Sequence, residues 1–422
     1  MPRVLTVLLL AFWIPIAPAH ADDYGYPIED PFVATVVGTP PELQAEFKEK
    51  VPFKRGNIVI FEDREIPDVF WYQNKFHYVY ALQKEPAPLI FIIGGTGASD
   101  ASGSVIMLAR AFYEAGFHVA TLASPTHMNF IVTASRTTVP GHVVYDAEDL
   151  YRAMERIRDN IQEKAEITEY FVTGYSLGGM NTAFVTRLDE QRQVFNYSKA
   201  LMINPPVRLY SSISLLDRML ENIPGGLDNF DQFFNELVEA LTKIYKESDK
   251  VDLSENALYD AYEILQPDDE ELAALIGVAF RLAASNLVFT ADVMNDYGYI
   301  KPRNIHLTRH SSLDEYSLVT VRTSFTDFYH DFFYPFYKAE DPTLTREGLI
   351  RNMSLEMIED YLRGAEKIQV MTNVDDIILE PGQVDFFRDV FGERARIFPR
   401  GGHLGNMEYR ENVDHMVNVF RQ

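Results

Sequence analysis

Several short stretches of this chain are mostly apolar. Pro88 to Ile93 is one, and His118 to Ala123, Tyr170 to Thr173, Ala200 to Asn204 and the run from Ile368 to Asp376 are of the same kind. Short apolar runs bounded by Gly, Pro or Asp predict strands buried on both faces. Between them the spacing becomes helical. Ser102 to Ala115 ends at Gly116, and Ala147 to Ile161 places Leu150, Met154, Ile157 and Ile161 on one stripe. Upstream, Asn57 to Glu62 and Phe70 to Leu82 are rich in Tyr, Phe and Val and read as an edge hairpin. Strands alternating with helices of this length predict an α/β chain with a mostly parallel, doubly covered sheet.

The pattern changes after Pro205-Pro206. From Val207 to about Ala365 the chain is acidic, aromatic and helical, with no buried strand run. Asp268 and Asp269 can start a helix whose Leu272, Leu275, Ile276, Ala279 and Leu282 form one apolar stripe. Phe325 to Tyr337 carries Phe325, Phe328, Tyr329, Phe332, Phe333, Tyr334, Phe336 and Tyr337, which reads either as an apolar pocket or as the packed core of the insertion. The expected organisation is residues 1–21 as a signal peptide, 22–206 and 367–422 as two parts of one core, and 207–366 as a large, mainly helical insertion.

The candidate chemistry sits at strand ends. Tyr170 to Thr173 runs into Gly174-Tyr-Ser-Leu-Gly178, a strand, a tight turn and a helix-compatible segment. Such an elbow presents its serine on a strained turn at a helix N-terminus, where developing negative charge is favoured. An acyl-transfer site also needs backbone N–H donors for an oxyanion. One is expected from Leu177, just after the serine, and the others from Gly95 and Thr96 in the glycine-rich turn Gly94-Gly-Thr-Gly97 that follows Ile93. Downstream, the strand from Ile368 ends in Asp375-Asp376, and Arg396 to Phe398 leads to Gly401-Gly-His403. The order is Ser, Asp, His. His127, after the strand ending at Ala123, reads as a loop histidine or one packed behind the reacting groups near the same sheet edge, and no His-Glu-x-x-His spacing suggests a catalytic zinc.

These motifs resemble those of the α/β-hydrolase superfamily, in two blocks flanking the insertion. Gly174-x-Ser176-x-Gly178 is similar to its nucleophile elbow, Gly94-Gly-Thr-Gly97 stands where many members have His-Gly-x-Gly, and Gly401-Gly-His403 is similar to its histidine turn. The resemblance implies Ser176 as nucleophile, His403 as general base and acid, and a carboxylate of Asp375-Asp376 as orienter. Asp376 is preferred because Asn373-x-x-Asp376 has the family's Gly-x-x-Asp spacing, with Asp375 the alternative. The insertion falls where members carry a cap over the site. No cofactor is implied.

Composition narrows the setting. Met1-Pro-Arg3, the apolar run Val4 to Ile14 and Ala19-His-Ala21 have the layout of a cleaved export signal, too short to span a bilayer. With no cysteine in 422 residues, stability does not rest on disulfides. That suits a bacterial periplasmic or secreted enzyme without stable membrane insertion once the signal is removed. A formal charge of −24 disfavours nucleic acid and anionic surfaces. The expected partner is a small-molecule or lipid-like ester, cleaved by a carboxylesterase or lysophospholipase-like enzyme. An aminopeptidase-type serine peptidase or an acyltransferase could use the same three side chains. A non-catalytic binding module is the reading from another class.

Overall fold

The computed structural model describes residues 24–47, 50–236, 262 and 266–421; the segment expected to be a signal peptide lies outside these. Eight strands form one sheet: β1 Lys54–Ile58, β2 Phe76–Ala81, β3 Ala87–Ile93, β4 His118–Leu122, β5 Ile167–Tyr175, β6 Lys199–Ile203, β7 Ile368–Asn373 and β8 Ala395–Phe398. Their order is β1-β2-β4-β3-β5-β6-β7-β8. β2 runs antiparallel to both neighbours, and every pairing from β4 across to β8 is parallel.

Period-two alternation explains how one sheet serves two cores. Leu89, Phe91 and Ile93 of β3, with Ala200 and Met202 of β6, face a core shared with helices α4 (Val143–Gln162) and α5 (Leu177–Arg192). Ile90 and Ile92, with Leu201 and Ile203, face the opposite core, shared with α2 (Gly103–Glu114) and the C-terminal helix Arg410–Arg421. There Phe112 and Phe420 meet edge-on at 5.3 Å. Both faces are covered, which is why these strands are continuously apolar in sequence.

Element boundaries differ from the sequence reading in several places, two of them at the sheet edge. β1 begins three residues earlier than expected, at Lys54, and β2 begins only at Phe76 because Asp68–Phe70 forms a 3₁₀ turn. β1 is an edge strand of Lys, Arg, Gly, Asn and Ile with one face half-exposed, so hydrophobicity marks its position poorly.

Between β6 and β7 the described residues are helical. They include α6 (Leu209–Arg218), the long helix Asp269–Asn295, and an aromatic helix formed by Phe325–Phe328, a π turn Tyr329–Phe333 and Tyr334–Glu340. The long helix starts with a capping box, Asp268 paired with Glu271, and runs well past the expected Leu282. Its composition is apolar enough to cross a membrane, with mean hydropathy 1.9, yet half of that window is buried inside the protein. It also carries the buried Arg281, 3.6 Å from Asp217. Ala283 on this helix comes against Gly97, so the insertion reaches the sheet edge where the glycine turn lies.

Candidate functional site

Ser176 stands between β5 and α5 with φ 53°, ψ −126°, a conformation that strains any residue bearing a Cβ. The neighbouring glycines make the turn possible. A Cβ on Gly174 would overlap the Gly178 carbonyl, and one on Gly178 would overlap the carbonyl oxygens of Ile93 and Gly94. The Ser176 amide donates to Ile203 O at 2.8 Å, tying the turn to β6.

The structure brings Ser176, His403 and Asp376 together. Nε2 of His403 lies 3.0 Å from Ser176 Oγ, and its Nδ1 lies 3.0 and 3.2 Å from the two Asp376 oxygens. A proton on Nδ1 is the tautomer that the carboxylate favours, and it leaves Nε2 to accept from the serine. The Asp376 side chain is fully buried and the imidazole is 14% exposed. Asn204 Nδ2 donates to Asp376 Oδ2 at 2.8 Å and the Ile378 amide to Oδ1 at 3.2 Å, which fixes the carboxylate plane. Asn204, at φ 43°, turns the chain at the end of β6.

Asp375 points elsewhere. Its oxygens accept the amides of Gly402 and Gly401 at 3.0 and 3.1 Å, so it braces the turn that carries His403. Burial raises its pKa, and those two amides work against the rise.

The glycine turn abuts the serine: a Cβ on Gly95 would sit 3.2 Å from the Ser176 Cβ. The amides of Thr96 and Leu177 have no acceptor among the described residues. Gly95 packs closely on Tyr175, where a Cβ would come within 2.7 Å of the ring. Thr126, which the sequence did not single out, accepts from the Gly97 amide through Oγ1 at 2.8 Å and holds the turn in place. His127 caps the short helix α3 (Met128–Thr133), its Nδ1 accepting from the Asn129 amide at 3.2 Å. Among the described residues, no group of three or more His, Cys, Asp or Glu could hold a metal ion.

A second support comes from the N-terminal segment. Asp30 caps helix α1 (Pro31–Val37), accepting from the amides of Phe32 and Val33 at 2.8 Å each. Thr35 Oγ1 then accepts the His403 amide at 2.9 Å while donating to Pro31 O at 2.6 Å. Gly402 lies so close to α1 that a Cβ would overlap the Pro31 carbonyl. Arg400 donates to the carbonyls of Tyr24 and Tyr26 at 2.6 and 2.7 Å. The histidine turn is thus held from two sides, by Asp375 and by Thr35. Thr35→Val leaves the His403 amide without its acceptor; it is expected to lower kcat about tenfold with KM little changed, and Thr35→Ser to restore it. Steady-state kinetics on an activated ester checks this.

An apolar cleft opens beside the site. It has about 440 Å³ of unfilled space, mouth included, and runs from Thr96 and Leu177 to Pro140, Gly141 and residues of the insertion, among them Leu287 and Phe333. Four of the aromatics singled out in sequence, Phe325, Phe328, Tyr329 and Phe333, line it and are core residues as well. Its floor is tied down by Asp146, which accepts the Gly141 amide at 2.9 Å.

Burial holds the Asp146 carboxyl well above its ordinary value of 3.8; the Gly141 amide opposes this and nearby Asp149 adds to it. The folded chain therefore keeps this proton at pH values where the unfolded chain has lost it. The contribution to stability is largest below the unfolded value and is lost as pH rises from 3.8 toward the folded one. Asp146→Asn is expected to flatten that decline, read as melting temperature against pH for the two proteins.

No family model matches the chain, and no curated protein matches it in sequence. Among solved structures it is similar to an esterase of Pyrococcus furiosus, with 10% identity over 92% of this chain and 97% of that one and a TM-score of 0.41. It is also similar to the proline iminopeptidase of Mycobacterium smegmatis, with 14% identity, 87% and 98% coverage and a TM-score of 0.41. A membrane phospholipase A, described as a bacterial virulence factor, gives 13%, 87% and 86%, and 0.42. Likenesses of this size carry nothing about the reaction. The chain's own strand order, with an antiparallel β2 beside a parallel run, its elbow between β5 and α5 and its helical insertion after β6, gives it the α/β-hydrolase fold.

Proposed function

We propose that this protein is a serine hydrolase that cleaves a carboxylic ester through an acyl-enzyme. The observation that carries the reading is the unbroken hydrogen-bonded chain from Ser176 Oγ through His403 to Asp376, with the serine on a strained turn. In this mechanism His403 Nε2 takes the hydroxyl proton as Ser176 Oγ attacks the carbonyl carbon. Asp376 keeps the proton on Nδ1 and stabilises the imidazolium. The Leu177 and Thr96 amides receive the oxyanion, each donor lowering the barrier by ~3 kcal/mol. Collapse returns the proton from His403 to the leaving alkoxide and leaves an ester on Ser176. Water, deprotonated by the same imidazole, then releases the acid.

An apolar cleft with no Asp or Glu in its lining favours an ester over an aminopeptidase substrate, whose free amine would need a carboxylate. Acyl transfer to another alcohol would use the same first half-reaction. The N-terminal export segment belongs to this proposal, which sets the enzyme in a periplasm or outside the cell. Purified protein assayed on p-nitrophenyl esters and on aminoacyl p-nitroanilides tests the reading. Ester turnover that exceeds anilide turnover by at least a hundredfold is expected; the reverse preference would make it a peptidase.

A further inference from the structure

We propose that the cleft beside Ser176 is an acyl site for one short aliphatic chain, and that Phe333, resting on Gly141, sets the chain length it accepts. This rests on the serine hydrolase reading.

Three observations carry it. First, the cleft starts at Thr96 and Leu177, where the carbonyl would sit, and its walls are apolar throughout. Second, it is small. The walls leave about 40 Å³ of free volume, space for roughly three or four water-sized groups. A short acyl chain fits such a space, while a long or ring-bearing one does not.

Third, the aromatic helix is locally rewound to build one wall. In a regular α-helix, position 332 would share the face of 325, 328 and 329. The π turn Tyr329–Phe333 adds a residue to that turn, so Phe333 takes the place on the cleft face. Phe332 is turned away and stacks on Tyr297 at 4.1 Å. Such turns are rare and concentrate at functional sites. Opposite Phe333 stands Gly141, at φ 113°, where a Cβ would lie 3.2 Å from the Phe333 ring. Neither side of this wall is free to give. Tyr337 packs on Phe333 at 4.9 Å and donates to Val139 O at 2.6 Å, and Asp146 holds the Gly141 amide.

The test is a series of p-nitrophenyl esters from acetate to dodecanoate. For the wild type, kcat/KM is expected to rise about fourfold per methylene to around the hexanoate and to fall beyond it. Phe333→Leu should raise the ratio of decanoate to butyrate kcat/KM at least tenfold. Ile213→Phe, which fills the same slot from α6, should lower that ratio, so the proposal stays testable if one variant does not fold; melting curves report folding. A flat wild-type series or a folded Phe333→Leu with an unchanged ratio would overturn the proposal. If Ser176-dependent labelling by a fluorophosphonate persists in those cases, the serine hydrolase reading survives. If neither hydrolysis nor labelling occurs, both fall together.

Discussion

Ser176→Ala is expected to lower kcat on an activated ester by about 10⁶-fold while leaving the fold intact. The size follows from removing the atom that forms the acyl bond, which in comparable sites costs as much as removing the whole triad. The fold should persist because alanine keeps the same Cβ at the same positive φ, and the Ser176 amide still donates to Ile203 O. Stopped kinetics and a melting curve on the same preparation check the two halves separately. Substantial residual turnover in a folded variant would mean that another group attacks the carbonyl.

The two adjacent aspartates should behave very differently. Asp376→Asn is expected to cost about 10⁴ in kcat. An amide there would donate to His403 Nδ1, which turns the other nitrogen into a donor toward Ser176 and removes the base. Asp375→Asn loses one of the two amide bonds to Gly401 and Gly402 and keeps the other, so about a tenfold loss is expected. Parallel measurements of kcat at one pH decide between them. If Asp375→Asn were the costlier change, the orienting role would belong to Asp375.

Some of this site can be read from the chain and some cannot. β3, β6 and β7 are legible because burial on both faces leaves few polar positions to blur them. The elbow is legible because only glycine tolerates the carbonyl contacts at positions 174 and 178. The choice between Asp375 and Asp376 is not. Both end the same strand, and what separates them is Asn204 from another strand end and the amides of the histidine turn, contacts between residues far apart in sequence. Thr35 and Thr126 carry no local signal, because each acts through a hydroxyl that caps a distant amide. The aromatic run from Phe325 was legible as apolar, but its role depends on a π turn that no helical periodicity announces. β1 was displaced for the reason common to edge strands, a half-exposed face with little hydrophobic pattern.

The whole account stands or falls with the reactivity of one hydroxyl, and mapping a covalent adduct tests it. The protein should be incubated with a fluorophosphonate, digested, and the modified peptide sequenced by mass spectrometry. A single adduct on Ser176, absent from Ser176→Ala and strongly slowed in His403→Ala, is the expected result. A folded protein that acquires no adduct, or one that carries it on a different serine, would contradict it.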